Sequence, residues 1–223
     1  MEGNNFSSET KGIIPRSIIE MFSLLEQNRI HYKIRVSYFQ IYNENIYDLL
    51  TSDKQNLQIR EDKKRGVFVE GLSEYDVSSC EEIFEILQKG SQMRVTGSTK
   101  VNDLSSRSHA IFVMNIRQFD ELNKIEETKF SRLNFVDLAG SERVRSTGAT
   151  GIRLEESKKI NQSLSALGNV ISALAEAKPK SHIPFRDSKI ARILENSLGG
   201  NCKTVLMVMI SPSCDAFGET VIF

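Results

Sequence analysis

Arg132-Leu133-Asn134-Phe135-Val136-Asp137-Leu138-Ala139-Gly140 carries an apolar run, closes it with a carboxylate and places a glycine three residues later. Its β-branched and aromatic residues predict a strand over Lys129 to Val136, with Asp137 at the carboxyl end. An acid at that position is where nucleotide-hydrolysing proteins hold Mg²⁺, usually through water. Gly140 offers a bare backbone N–H with no side chain to keep a phosphate oxygen away. Alone, the Asp-x-x-Gly pattern suits a strand followed by a turn equally well.

Upstream stands Asn102-Asp-Leu-Ser105-Ser106-Arg107-Ser108-His109, with three hydroxyls around one arginine. Hydroxyls ligate Mg²⁺ or orient water, and an arginine senses phosphate charge. The same residues also suit a solvated Ser-rich loop. Ala110 to Arg117 reads as a second strand, and the charged Asp120–Lys129 segment as a solvated hairpin connection.

Further out, Ile14, Ile18, Phe22 and Leu25 recur at helical spacing, with Pro15 tolerated in the first turn. Lys33 to Tyr42 predicts a strand. Asn43 to Asn45 then turns the chain into a short helical stretch, Ile46 to Leu50. Short strands flank a basic turn at Lys63-Lys64-Arg65-Gly66. Ser79 and Glu82 form a capping-box pattern ahead of Ile83, Ile86 and Leu87. A polar segment spans Gly97 to His109, and Gly140 to Gly151 reads as a loop. From Glu155, the apolar residues Ile160, Leu164, Leu167, Ile171 and Leu174 predict a long amphipathic helix. Ala177 to Ile183 reads as a loop. Asp187 is the expected cap of a helix carrying Ile190, Ile193, Leu194 and Leu198. Thr204 to Ile210 predicts a strand covered on both faces. Alternating strands and helices indicate an α/β layered fold.

Composition removes several classes. Of 223 residues, 39% are hydrophobic and 26% charged, a globular balance rather than a disordered one. Twenty-nine basic residues match twenty-nine acidic ones, so overall charge gives no pull toward nucleic acid or anionic membrane. The longest apolar run, Val205 to Ile210, is far short of the ~20 residues of a membrane helix. Residues 1–16 lack the basic start and apolar core of a secretory signal. Cys80, Cys202 and Cys214 form no CxxC pair, so neither a disulfide framework nor a zinc site is expected, and a reducing cytosolic setting fits. Small buried apolar residues are the plain reading of all three.

The two chemical segments, in this order and one strand–loop–strand apart, resemble the switch segments of the kinesin motor family, N-x-x-S-S-R-S-H and D-L-A-G-S-E. Further similar segments are GIIPR at Gly12 to Arg16, VSYFQIYNENIYDLL at Val36 to Leu50 and KINQSLSALGNVISAL at Lys159 to Leu174. HIPFRDSKIARIL at His182 to Leu194 and NSLGGNCKT at Asn196 to Thr204 complete the set. The resemblance implies an α/β, three-layer P-loop NTPase motor core with a central, mostly parallel or mixed sheet between helices. The N-terminal strands and phosphate-binding loop would be lacking. Residues 1–223 would form one incomplete motor domain, its carboxyl two-thirds, with the C-terminal helix and neck linker missing.

The resemblance also implies roles. ATP and Mg²⁺ are the implied cofactors. Ser106 would sit in the Mg²⁺ shell and Asp137 would hold the ion through water. Ser105 would lie near the γ-phosphate and the attacking water, with Asn102 in the same nucleotide-facing segment. Arg107 would latch to Glu142, and Gly140 would give its N–H to the γ-phosphate. Asn161 matches a position tied to switch closure.

The implied partner is the microtubule, whose acidic surface calls for a basic face. Lys178, Lys180, Arg186, Lys189 and Arg192 stand against the single acid Asp187. Lys63, Lys64 and Arg65 form a second cluster. Arg143, Arg145, Arg153, Lys158 and Lys159 form a third. Homodimerisation through a stalk and a cytoplasmic, microtubule-associated location would belong to the parent protein.

The pattern G-x-x-x-x-G-K-[ST] is absent from these residues. Gly199-Gly-Asn-Cys-Lys203-Thr204 only imitates it, since Cys202 replaces the second glycine and a strand rather than a helix is expected to follow. Two readings arise: a fragment of an ATP-driven microtubule motor, or a non-hydrolysing microtubule-binding pseudo-motor. A GTPase-like switch is disfavoured because no N-K-x-D segment occurs.

Overall fold

The computed structural model describes residues 1–3, 10–53, 56–63, 66–96, 105–119, 127–141, 152–176 and 182–209. Along the chain run α1 (Ile13–Gln27), β1 (His31–Tyr42), β2 (Asn45–Asp48), β3 (Ile59–Asp62), β4 (Gly66–Val69), β5 (Tyr75–Val77) and α2 (Cys80–Thr96). Then come β6 (His109–Phe119), β7 (Glu127–Asp137), α3 (Ile152–Ala175), α4 (Lys189–Ile193) and α5 (Glu195–Gly199). They fall into two compact units. The first comprises Met1–Gln40, Asn45–Leu57 and Gly71–Leu138; the second comprises Ile41–Glu44, Gln58–Glu70 and the described residues from Ala139 onward.

The first unit is built on a sheet of order β2-β1-β6-β7, with β5 also paired to β1. The period of two along β1 and β6 puts Ile34, Val36, Tyr38, Ala110, Phe112, Met114 and Ile116 into one apolar core. Ile14, Ile18, Phe22 and Leu25 of α1 and Ile83 and Leu87 of α2 complete it. The Val, Ile, Leu, Phe and Met side chains among these contribute about 1.5–3 kcal/mol each on burial. Phe112 meets Tyr38 edge-on, with ring centroids 5.6 Å apart. Half of the expected capping box forms at α2: Glu82 N–H donates to Ser79 Oγ at 3.3 Å, while the Glu82 carboxylate accepts at 2.6 Å from the N–H of Ser78, one residue before the cap, rather than from Ser79. Further along α2, a Cβ on Gly90 would lie 2.2 Å from Tyr38 Cδ1, so helix and strand approach closely there.

The pairings β1–β5, β3–β4 and β6–β7 are each antiparallel. The β6–β7 ladder runs from Ala110↔Asp137 to Phe119↔Glu127, with an irregularity at Gln118/Phe119. It therefore fixes the start of β6 beside the end of β7.

In the second unit, α3 buries Ile160, Ser163, Ala166, Leu167, Val170 and Ala173 along one face. Val170, Phe185 and Ala191 form its apolar centre, with Leu174, Ile183 and Leu198 packed around them. Among the described residues, no helix is long and apolar enough to cross a membrane.

Five expectations need correction. Ile46 to Leu50 is not helical. Asn43 and Glu44 both take left-handed φ values, +52° and +59°, which close a two-residue hairpin into β2. The cap of α4 is Ser188, not Asp187: Ser188 is extended and its Oγ accepts from Ala191 N–H at 3.2 Å, whereas Asp187 lies in the preceding 3₁₀ turn. The predicted single helix is two, separated at Leu194. The segment 204–209 is irregular and exposed, with Val205 at 83% and Met209 at 90%. A strand needs a neighbour to pair with before layers can cover its two faces, and no described strand pairs with this segment. Cys202, in the irregular stretch just before, is likewise exposed rather than buried.

Candidate nucleotide-switch site

The antiparallel ladder is what assembles this site. Ser105–Arg107 forms a single 3₁₀ turn, Ser108 and His109 are buried, and β6 begins at His109. Asp137 closes β7 directly opposite Ala110. Two segments about thirty residues apart in sequence thus end side by side.

Arg94 joins them. It sits in the last turn of α2, with its side chain 10% exposed. Nη1 donates to Asp137 Oδ2 at 2.9 Å, Nη2 to the Ser108 carbonyl at 2.9 Å and Nε to Ser108 Oγ at 3.3 Å. The guanidinium fork thus ties the hydroxyl-rich turn to the carboxylate. Asp137 itself is 49% exposed and remains reachable from solvent.

Burial, reinforced by the Arg94 charge and opposed by Asp137, pushes the His109 pKa down to about 4. His109 is therefore neutral at neutral pH. Glu2 Oε1 accepts from Ser91 Oγ at 2.7 Å and from Tyr38 Oη at 3.4 Å. Burial, helped by the Glu2 charge, pushes the Tyr38 phenol up to about 12. A cavity of about 290 Å³ opens here, lined in part by Glu2, Tyr38, Ser91, Arg94, Phe112 and Asp137.

Among the described residues, no three His, Cys, Asp or Glu side chains gather to hold a metal. Mg²⁺ needs no such cage, since one or two oxygen ligands suffice when water and phosphate oxygens complete the octahedron. The exposed Ser106 and half-exposed Asp137 fit that requirement.

The other expected nucleotide-facing residues are distributed as follows. Arg107 is half-buried in the 3₁₀ turn, and Gly140 is half-buried three residues beyond Asp137. Ser105 is described through its backbone only. Asn102 and Glu142 lie outside the described residues.

Of the expected microtubule-facing residues, Lys63, Lys158, Lys159 and Arg186 are exposed, and Asn161 and Lys189 are half-buried. Lys158 pairs with Glu155 at 2.7 Å. The Lys189 N–H donates to Glu44 Oε2 at 2.9 Å. Arg192 differs: it is 15% exposed and its two terminal nitrogens bond Glu195 and Glu61. Lys64, Arg65, Arg143, Arg145, Lys178 and Lys180 lie outside the described residues, as does the Arg153 side chain.

Sequence reasoning missed Arg94 and Glu2. Arg94 had a signal: it continues the spacing Ile83, Leu87, Gly90 on the inward face of α2. A cation on an apolar stripe requires a buried partner. Glu2 had none, because its contacts with Tyr38 and Ser91 are remote in sequence.

The family described as the kinesin motor domain matches residues 1–222. The kinesin heavy chain of Botryotinia fuckeliana is 49% identical over 224 residues, covering 99% of this chain and 25% of that protein. Kinesin heavy chain isoform 5A of Homo sapiens is 48% identical over 223 residues, 99% of this chain and 21% of that protein. A solved structure of a fast kinesin superposes with a TM-score of 0.89 at 46% identity, covering all of this chain and 63% of the other. The chain spans about a quarter of the length of the curated relatives it matches.

Proposed function

We infer that this chain, which belongs to the kinesin motor-domain family, is part of a microtubule-dependent motor that couples MgATP hydrolysis to microtubule binding and movement. The observation that supports the reading is the β6–β7 ladder, which sets Ala110, the residue following the Ser105–His109 segment, opposite Asp137. Hydrolysis in such a site depends on positioning and on charge stabilisation rather than on covalent chemistry.

In this reading the Ser106 hydroxyl and, through water, the Asp137 carboxylate hold Mg²⁺, which when bound neutralises charge on the phosphate oxygens. Ser105 and Asn102 face the nucleotide, with Ser105 orienting the attacking water. Arg107 and Glu142 form a charge-assisted latch as the two segments close. The Gly140 N–H senses the γ-phosphate. Arg94 keeps Asp137 in place from behind, and neutral His109 adds no second positive charge beside it. A shift at Gly140 passes through residues 141–155 to α3, an order–disorder or helix-shift type of switch. Lys63, Lys64, Arg65, Arg143, Arg145, Lys158, Lys159, Asn161, Lys178, Lys180, Arg186 and Lys189 supply the microtubule-facing side. A stalk-mediated homodimer in the cytoplasm, on microtubules, completes the proposal for the parent protein.

The test is microtubule-stimulated ATP turnover by the native protein, immunopurified through an antibody against residues 120–129. Turnover that rises with microtubule concentration is expected. Microtubule pelleting without any turnover would replace the reading with a non-hydrolysing binder.

A further inference from the structure

Arg192 carries a basic residue's sequence signature but not a surface residue's environment. On α4, its side chain is 15% exposed; Nη1 bonds Glu195 of α5 and Nη2 bonds Glu61 of β3. One planar fork therefore joins two helices to a hairpin, a geometry that a lysine ammonium cannot reproduce. A second contact joins the same parts. A Cβ on Gly66 would stand 2.4 Å from Asn196 Nδ2, so the amide of α5 lies against the hairpin backbone. Gly66 also has φ +68°, where a side chain would be strained. The Glu44 carboxylate accepts the Lys189 N–H and anchors the first turn of α4. All these residues belong to the second unit.

The two parts so joined each carry expected microtubule-facing cations. The hairpin bears Lys63 and is followed in sequence by Lys64 and Arg65; Lys189 stands on α4, with Arg186 just before it. We propose that Arg192 is a positioning residue: bridging Glu61 and Glu195, it holds the β3–β4 hairpin to α4 and α5. The cations of both parts are thereby presented in fixed register to an acidic polymer. This rests on the microtubule reading above.

An Arg192 strut and simple charge complementarity call for opposite signs. Removing an acid should strengthen binding to an acidic partner. Here Glu61→Gln weakens it, because Glu61 holds the hairpin in place. Arg192→Lys keeps the charge yet also weakens binding, because one ammonium cannot span both carboxylates.

The experiment is co-pelleting of the full chain with paclitaxel-stabilised microtubules, alongside hydrogen exchange of the free chain over Ile59–Asp62 and Gly66–Val69. Each variant is expected to bind about three- to tenfold more weakly, the range of coupling within one ion network, and to exchange faster in the hairpin. Glu61→Gln binding as tightly as the unmutated chain, or more tightly, overturns the proposal, as does unaltered binding by Arg192→Lys. If Arg192→Lys does not fold, Glu61→Gln still decides, since Glu61 is 55% exposed and glutamine is isosteric. Absence of pelleting by the unmutated chain refutes the microtubule reading instead. The exchange arm then judges the strut alone: lost hairpin protection in Arg192→Lys upholds it, and unchanged protection overturns it.

Discussion

Replacing Arg94 by methionine keeps most of the side chain's length and removes the bonds to Asp137 and Ser108. Two losses differ in weight. Asp137 is half exposed, so water takes over its vacated oxygen and little of the ion pair's worth is forfeited. Ser108 is fully buried, and its carbonyl and hydroxyl lose the donors at 2.9 and 3.3 Å. Each of these bonds to the charged guanidinium is worth about 1.5–3 kcal/mol, offset in part by not burying a guanidinium. A net loss of roughly 2–4 kcal/mol follows, or about 5–15 °C in Tm for a chain of this size. A second readout separates this from generic damage. Arg94 is the charge that lowers His109 beyond the effect of burial. In Arg94→Met the His109 pKa therefore rises from about 4 but stays below 6.5, as read by NMR titration of its ring protons. An unchanged Tm together with an unchanged His109 titration would refute the reasoning.

Stability should fall as pH drops from about 6.5 toward about 4: unfolded His109 takes up a proton near 6.5, while the folded form resists until about 4. The loss approaches about 3 kcal/mol, and urea midpoints against pH should flatten in His109→Phe. Gly90→Ala should destabilise by about 1–2 kcal/mol despite alanine's better helix propensity, because the new methyl strikes the Tyr38 ring; thermal melts would show it. Ser188→Ala should cost about 1 kcal/mol in urea denaturation while Asp187→Ala is near neutral, which checks the assignment of the α4 cap. In the native motor, Gly140→Ala or Glu142→Ala should abolish ATP turnover and spare microtubule pelleting; full turnover in either would sink the switch assignment.

Periodicity carried α1, β1, β6, β7 and α3, because each buries a face whose spacing is written in its own residues. The β1–β2 hairpin was hidden because its second left-handed position is Glu44 rather than the glycine that usually marks such turns. With no glycine to punctuate it, Ile46, Leu49 and Leu50 read as a helical stripe. The segment after Thr204 was misread for the opposite reason. Its residues state what environment they suit, but a strand exists only with neighbours to pair with. At the site, Ser106, Arg107, Asp137 and Gly140 were legible as types in a pattern. Their juxtaposition was not, since it comes from the β6–β7 register and from Arg94 on a third element. Arg192 shows the converse: five cations in a short stretch look alike in sequence, and only burial separates the one that faces inward.

The β6–β7 ladder also acts as a spacer. At ~3.4 Å per residue, its far end at Phe119 lies roughly 30 Å along the strand from the Asp137 end. The irregularity at Gln118/Phe119 sits at that far end, where a change in connection length can be absorbed before it shifts any pair nearer the carboxylate. A fluorophore or affinity peptide spliced into residues 120–126 should leave the pairing at Ala110 and Asp137 as it is. The hairpin thereby offers a handle by which the chain can be tethered, pulled or imaged with the Asp137 end left undisturbed.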